Sequence, residues 1–397
     1  HNYTYQALSD FAEAVFLKMG CSTSDAALAT KVLLSADLRG IDSHGIARLI
    51  GYVRLWEQGR INPTPNIKIV HETPSTAVID GDRGLGLIVA PRAMEIAMEK
   101  AKQVGTGWVS VKNSNHFGIA GYHAMMALEQ EMIGIAMTNA SALVAPTYAA
   151  EKLLGTNPIA VAIPAGQEAP FVADFATTTA ANGKLEIAQR ANKQIPEGWL
   201  QTKEGNASSD PNELKNGGSL LPLGSDIAHG SHKGFGLSAT VDILSAVLSG
   251  ANFGPWVPPF VSFLEPAENP VGKGIGHFFG AMRIDGFRAK EDYFQSIDPW
   301  IERFKAAKPK DENQTVIIPG EPEMLAFRNY SKIGIPINQI VYEDLKKLAE
   351  EQAQEAKRLA EEADRVLAEQ AAAAQRETER LAREAKDAAD AAQRETE

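Results

Sequence analysis

The sequence predicts an α/β protein, a layered domain around a largely buried sheet, with a long C-terminal helix. Three observations carry this. Between about 66 and 165, short β-like runs alternate with helical ones: "TAVID", 89–103, "WVSV", 120–131, "MIGIAMTN" and "IAVAIPA". The GxGxxG fingerprint of the doubly wound dinucleotide fold is missing: "GDRGLGLIVAPRA" spaces Gly81, Gly84 and Gly86 wrongly and lacks a convincing acidic residue about 20 positions on. The last 48 residues hold no Gly, Pro or aromatic residue and are almost entirely Ala, Glu, Gln, Lys, Arg, Asp and Leu.

The elements follow in order. Residues 4–19 repeat Leu8, Phe11, Ala12, Val15, Phe16 and Met19 at spacings of three and four, which marks an amphipathic helix. Ser24 is the N-cap candidate of a second helix running to Leu38. In "DLRGIDSHGIARLIGYVRLWEQGRI" a polar cluster at 42–45 interrupts two helical stretches. Beyond the alternating region, residues 200–230 are rich in Gly, Ser, Asn, Asp and Pro and read as an irregular excursion. "GFGLSATVDILSAVLSGANFG" reads as an apolar helix ending at glycine, and "GIGHFFGAMRID" as a strand after a flexible Gly-rich loop. High helix propensity and opposite charges three and four apart make the tail one long helix. "AAQRETE" recurs there at 373–379 and 391–397, a period of 18 residues or five turns. Its apolar stripe is mostly Ala, so a coiled-coil partner would be held weakly.

Composition narrows the function. The net charge of −11, with acidic residues spread along 397 positions, argues against a nucleic-acid surface. Cys21 is the only cysteine, which excludes an intrachain disulfide framework and a multi-cysteine metal site and suits a reducing cytosol. The first residues show neither a basic n-region nor a long apolar h-region, and no run of about 18 apolar residues occurs, so the expectation is a soluble cytoplasmic protein with no membrane partner.

Chemistry concentrates in a few loops. "VSVKNSNHFGIAGYHA" (109–124) runs from a β-branched stretch through Lys112, Asn113, Ser114, Asn115 and His116 into a helix-like segment, the order in which α/β proteins display reactive side chains. "DSHG" (42–45) places Ser43 beside His44, with Arg48 one helical turn on. An imidazole titrating near neutrality can take or give the proton of an alcohol or ketone, and on one helix face His44 and Arg48 would combine a proton-transfer group with a carboxylate clamp. "ADFATTTAANGKL" (173–185) offers an acid, hydroxyls and an Asn-Gly turn that suit ribose and phosphate oxygens, and equally a plain capped helix. "HGSHKGFGL" (229–237) sets Lys233 among glycines at a helix start, which suits a pyrophosphate. A serine-hydrolase elbow GxSxG and a zinc HExxH are both missing, and no metal is expected.

The motifs "GIDSHGIARLIGYV", "NSNHFGIAGYHA", "GTNPIAVAIP", "DFATTTAANGK", "HKGFGLSATVDILSAVLSGANFG", "GHFFGAMRID" and "IPGEPE" resemble, in this order, the malate/L-lactate dehydrogenase family, which also holds ureidoglycolate and sulfolactate dehydrogenases. The resemblance spans about residues 4–350. It implies a three-layer α/β/α fold with a mixed sheet, unrelated to the doubly wound one, and an NAD(P)-dependent oxidoreductase of small 2-hydroxy acids. It also implies a cytoplasmic homodimer with the active site near the subunit interface. By resemblance His116 is the general acid/base, His44 and Ser43 an active-site pair, and Arg48 the ligand of the substrate carboxylate. Ser141, between Ala140 and Ala142 in "TNASALVAP", and Lys273, in "VGKGIG", stand on the substrate side. Asp174, Phe175 and Ala176, Lys233 with Gly234, and Gly320 with Glu321 and Pro322 correspond to cofactor-binding stretches for NAD or NADP.

The implied organisation is an α/β cofactor-binding domain at 66–299, helical substrate-side and dimerisation segments at 1–65 and 300–349, and the helical tail at 350–397. Reduction of a cyclic imino acid on the same fold is the enzymatic alternative. An interaction protein working through the C-terminal helix is the non-enzymatic one. The substrate expectation spans malate, lactate, sulfolactate, ureidoglycolate and sugar-derived acids, and the cofactor expectation NAD and NADP.

Overall fold

The opening helices follow from their caps. In the computed structural model, which describes residues 2–396, the Thr4 hydroxyl accepts from Ala7 N–H at 3.2 Å and starts α1 (Tyr5–Lys18). Its Leu8, Ala12, Val15 and Phe16 are buried. α2 (Thr23–Leu38) is capped by Ser22 rather than Ser24: the Ser22 backbone is extended and its hydroxyl accepts from Asp25 N–H at 3.2 Å. Ser24 already lies inside the first turn, where helical backbone geometry rules out the capping role. After the polar cluster comes α3 (Leu49–Glu57).

The strands are β1 (Asn2–Tyr3), β2 (Lys68–Glu72), β3 (Thr76–Gly84), β4 (Thr106–Ser114), β5 (Met132–Thr138), β6 (Ile159–Ile163), β7 (Phe171–Phe175), β8 (Leu200–Gln201), β9 (Ala207–Ser208), β10 (Ser219–Leu220), β11 (Ile275–Arg283) and β12 (Ile335–Pro336). Seven form one sheet in the order β2-β3-β4-β11-β5-β6-β7. Only β3 and β4 pair in parallel, because α4 (Gly86–Val104) carries the chain back over the sheet between them; the other pairs are antiparallel. The sheet is therefore mixed, as the resemblance implied.

Side-chain alternation divides the layers. Val109 and Val111 of β4 and Phe279 and Ala281 of β11 enter a core shared with α4 and with α5 (Ala120–Met125). Ser110 points the other way, its hydroxyl donating to Leu244 O at 3.1 Å. Leu244 belongs to a π-helical turn, Ile243–Val247, that continues α7 (Ser231–Asp242). Helices thus cover both faces. Glycines set the spacing: a Cβ on Gly134 would lie 2.0 Å from the Ala124 carbonyl oxygen, so β5 touches α5 through bare backbone.

The excursion at 200–230 is not wholly irregular. β8, β9 and β10 form a small sheet whose Leu200 and Leu220 join a second core with Val144, Leu154, Leu185 and Ile195. Two-residue strands are too short to show a period in sequence. α6 (Asn182–Arg190), α8 (Lys290–Lys305) and α9 (Glu321–Ile333) complete the unit that ends at Ile337, and β12 returns to pair with β1.

Residues from Asn338 form a separate unit, the helix α10 (Gln339–Thr396). It begins before the expected boundary at 350 and is one helix, as expected. Arg358 pairs with Glu355 at 2.6 Å and Glu362 at 3.3 Å, and Arg380 with Glu377 at 2.6 Å. Among the described residues no helix is long and apolar enough to cross a membrane.

Gly134→Ala should destabilise the folded chain by roughly 1–3 kcal/mol by forcing β5 off α5. The urea midpoint of unfolding reads this directly, and an unchanged midpoint would contradict the close approach.

Candidate active site

The "DSHG" segment is held from beneath by one buried carboxyl. Asp37, 3% exposed at the end of α2, accepts from Ile46 N–H at 2.7 Å. Gly45 lies against the same group: a Cβ there would fall 2.1 Å from Asp37 Oδ1. Burial pushes the Asp37 carboxyl up to about 7, against the pull of the Ile46 N–H, with nearby Asp42 adding to the rise. Around this anchor the chain makes two 3-10 turns, Asp42–His44 and Ile46–Arg48, broken at Gly45. The expected single helix face for His44 and Arg48 is therefore wrong, because the Asp37 contact pulls the backbone at 45 out of helical geometry. The two side chains converge by another route: Arg48 Nε donates to Ser43 O at 2.6 Å, and the Ser43 hydroxyl bonds His44 Nδ1 at 2.9 Å. The terminal nitrogens of Arg48 have no partner among the described residues.

His116 follows β4 in a loop fixed by backbone contacts. Asn115 Nδ2 donates to Arg83 O at 2.9 Å and Gly84 O at 3.1 Å, and a Cβ on Gly86 would lie 2.4 Å from His116 O. The imidazole sits among rings. Its Nδ1 bonds Tyr52 Oη at 2.7 Å, His44 lies 5.7 Å away nearly parallel, and Phe260 stacks on it at 4.3 Å. Gly118 N–H, which can only donate, also points at Nδ1 at 3.3 Å, which favours the neutral tautomer with its proton on Nε2. Burial, then His44, Arg48 and His277, hold His116 well below the ordinary imidazole value. Burial and Arg48 lower His44 to about 4. Both rings are neutral at pH 7.

A cleft of about 460 Å³ adjoins this group, lined among others by Arg39, Asp174, Phe175, Gly320, Pro322 and Glu323. It brings together two stretches more than 140 residues apart in sequence. The physical tie is Gly320, whose φ of +96° and 2.9 Å from a Cβ to Val172 leave no room for a side chain, and Val172 N–H, which donates to Pro319 O at 3.0 Å. Ile41 and Gly121 also line it, two residues before Ser43 and five after His116. Arg39 Nε is buried here with no partner among the described residues, an orphaned donor that fits an anionic or hydroxyl-bearing ligand. Asp174 Oδ2 accepts from Gly121 N–H at 2.8 Å. Glu321 is turned to its own helix start, accepting from Ile318 N–H at 3.0 Å and pairing with Lys305 at 3.2 Å.

The remaining expected residues sit as follows. Ala176 continues β7 toward α6, whose Gly183 lies near Ser43: a Cβ there would be 3.6 Å from the Ser43 Cβ. Lys233 and Gly234 start α7, where Gly234 rests on the Leu223 backbone and Leu223 N–H donates to Thr177 O at 3.1 Å. Lys273 is exposed, and its carbonyl accepts from Asn113 N–H at 2.7 Å beside the His116 loop. Ser141 lies after β5 beside Ala140, whose N–H donates to Asn157 Oδ1 at 3.1 Å. Sequence reasoning missed Asp37, Arg39, Tyr52 and Phe260. Tyr52 stands one turn after Arg48 in a motif already singled out, which is the signal that could have found it.

On an α/β fold without the doubly wound fingerprint, a guanidinium tethered only through Nε thus lies beside two stacked imidazoles and a neighbouring cleft. The sequence profile of malate/L-lactate dehydrogenases matches residues 3–346. The chain is 43% identical over 343 residues to the malate dehydrogenase of Pyrococcus horikoshii, covering 86% of this chain and 93% of that one. The solved structure of malate dehydrogenase from that organism superimposes with a TM-score of 0.80 at 40% identity, over 88% and 95% of the two chains. Identity to the L-sulfolactate dehydrogenase of Methanocaldococcus jannaschii is 40% over 338 residues, 85% and 93% of the chains. A Δ1-piperideine-2-carboxylate reductase from Pseudomonas syringae superimposes at 0.75 with 25% identity, over 88% and 99%. The chain belongs to the malate/L-lactate dehydrogenase family, and with it to the oxidoreductases of 2-hydroxy acids.

Asp37→Ala should cost roughly 1–3 kcal/mol, because Ile46 N–H loses its buried acceptor. The change is read from the urea midpoint, and no loss of stability would show that the carboxyl does not anchor the segment.

Proposed function

We propose that this enzyme interconverts a small 2-hydroxy acid of the malate or lactate type and its 2-oxo acid, using NAD or NADP, with His116 as general acid/base. The observation that carries the reading is the unpaired fork of Arg48 beside the neutral imidazoles of His44 and His116. A guanidinium tethered through Nε keeps both terminal nitrogens for a carboxylate, which binds them in one plane.

With the carboxylate on Arg48, the C2 oxygen is directed toward His116 Nε2. In the reduction, Nε2–H bonds the carbonyl oxygen and steadies the negative charge that grows on it, and the ring delivers a proton once protonated. The oxidation uses the other tautomer: the ring proton sits on Nδ1, donated to the Tyr52 hydroxyl, and the bare Nε2 accepts the hydroxyl proton. The Tyr52 hydroxyl, which bonds His116 Nδ1, can donate or accept and so accompanies either tautomer. His44, held by Ser43, orients the substrate oxygen. Phe260 keeps water off one face of His116. Asp174, Phe175, Ala176, Lys233, Gly234, Gly320, Glu321 and Pro322 belong to the cofactor side, where the orphaned Arg39 donor adds a contact. A nicotinamide bound there supplies or takes the hydride at C2. Lys273 and Ser141 complete the substrate side, and the active molecule is a homodimer.

His116→Ala should lower kcat by roughly 100-fold or more while cofactor still binds, the usual range for an acid/base group. Arg48→Ala should chiefly raise KM for carboxylate substrates. Absorbance at 340 nm with NADH and NADPH in turn, against oxaloacetate, pyruvate, sulfopyruvate and cyclic imines, reads both and names substrate and cofactor. Near-normal turnover by His116→Ala, or consumption of imines alone, would overturn the reading.

The pH dependence has a definite sign. His116 must be neutral to accept the hydroxyl proton, and its depressed value keeps it neutral as pH falls. For hydroxy-acid oxidation, kcat/KM should stay level through the ordinary imidazole value of 6.5 and fall only at more acid pH. An acid limb centred at or above that value would contradict the depression.

A further inference from the structure

The site also has a roof. Residues 253–271 leave and rejoin the fold at one neck: Gly272 N–H donates to Asn252 Oδ1 at 2.9 Å, Asn252 N–H to Gly274 O at 3.2 Å, and Lys273 N–H to Gly250 O at 3.1 Å. A loop closed in this way is placed by the contacts of its middle, not by its ends. Those contacts come from the end of α3. Arg60 Nη1 donates to Val261 O at 3.3 Å and Leu264 O at 3.4 Å, Arg60 Nη2 donates to Pro259 O, and Gln58 Nε2 donates to Ser262 O at 2.7 Å. One guanidinium thus gathers three carbonyls of a stretch already stiffened by Pro258 and Pro259.

The gathered segment presses one ring inward. Phe260 stacks on His116 at 4.3 Å and meets Tyr52 edge-on at 4.9 Å. Gly51 on α3 makes the space, since a Cβ there would stand 3.2 Å from the Phe260 ring. Its neighbour Phe263 is 81% exposed, so the same few residues turn one aromatic ring onto the imidazole and leave another in water. The neck bears on the proton-carrying loop as well: a Cβ on Gly274 would lie 2.7 Å from Asn113 Cα.

We propose that Phe260 is a specificity-determining residue, a wall over His116 that limits the group carried on C3 of the substrate, and that Arg60 is the positioning residue that latches it there. The specificity role rests on the reading of the site as a 2-oxo-acid reductase; the roof itself does not. An apolar ring fixed on one face of the imidazole occupies space that a larger substituent beside C2 would need, and it shields the ring nitrogens from reagents in solution. Arg60 acts only through the loop it holds.

Two measurements on the full chain test this. Diethyl pyrocarbonate labels accessible neutral histidines, and peptide mass spectrometry compares His116 with His229, whose side chain is 74% exposed. His116 should label slowly in the wild type, and Phe260→Ala, which uncovers the ring face, and Arg60→Met, which releases the hydrogen bonds of a charged group, should each speed it about tenfold or more. The conservative variants Phe260→Leu and Arg60→Lys should keep most of the protection, which separates loss of the roof from misfolding. The second measurement is kcat/KM for oxaloacetate, sulfopyruvate, pyruvate, 2-oxobutyrate, 2-oxopentanoate and phenylpyruvate. The preference for large over small should rise roughly 10- to 200-fold in Phe260→Ala, the range for a filled or emptied apolar subsite, and less in Arg60→Met. Equal labelling of His116 in the wild type and both disruptive variants overturns the roof. Faster labelling with an unchanged size preference overturns the specificity role. Turnover of none of these acids by the wild type overturns the substrate reading, and the labelling then still decides whether Phe260 covers His116.

Discussion

The His277 imidazole bonds Ser114 Oγ through Nε2 and Thr138 Oγ1 through Nδ1, both at 2.7 Å, and so ties β11 to the ends of β4 and β5. The Thr138 hydroxyl is also within reach of Gly276 O at 3.0 Å and Asn139 O at 3.1 Å, acceptors only, so its proton points there and His277 Nδ1 carries hydrogen toward it. Burial drops His277 to about 3, which keeps the ring neutral in the interior. Asn139 extends the network, donating to Asp242 Oδ1 and Asn252 O at 2.8 Å each and accepting from Gly276 N–H at 3.0 Å. The loop bearing His116 leaves from β4, Ser141 follows β5, and the neck of the Phe260 strap precedes β11. All three departures are fixed by one buried polar network, where loss of any partner strands the others without water to replace it.

Above that network the site depends on keeping its charge in one place. Two imidazoles lie close to a guanidinium, and burial makes a second or third positive charge costly. The imidazoles therefore remain neutral donors and acceptors beside the Arg48 guanidinium. The same desolvation strengthens the hydrogen bonds that a carboxylate would make there. The cleft is lined by Ile41 and Gly121, two residues before Ser43 and five after His116, so the segments that build the site also build the cleft.

Much of this was legible in the sequence. Periods of two and 3.6 placed β3, β4, β5, β6 and β11 of the seven-stranded sheet and the helices α1, α2, α4 and α10, though not β2, β7 or α8, and the ordered motifs pointed to loops that do meet in space: 42–48 with 113–118, and 174–175 with 320–322. The departures have local causes. Ser22 displaces Ser24 as the α2 cap because helix starts are settled by backbone angles, not by residue type alone. The break at Gly45 follows from a buried carboxyl eight residues earlier, a contact that no period encodes. The small sheet at 200–220 is invisible because its strands are two residues long.

Residue types, their order and their spacing determined the α/β class, the mixed character of the fold through its family resemblance, the long terminal helix, and the side chains able to carry a carboxylate and a proton. The tertiary structure alone decided which of them touch. Tyr52 and His116 lie 64 residues apart and share a hydrogen bond, and Phe260, further still, stacks on the same ring. Such contacts are set by how closely β11 approaches its neighbours and by where Arg60 holds a loop. Chemical capacity is a property of each residue, whereas proximity depends on packing among segments remote in the chain.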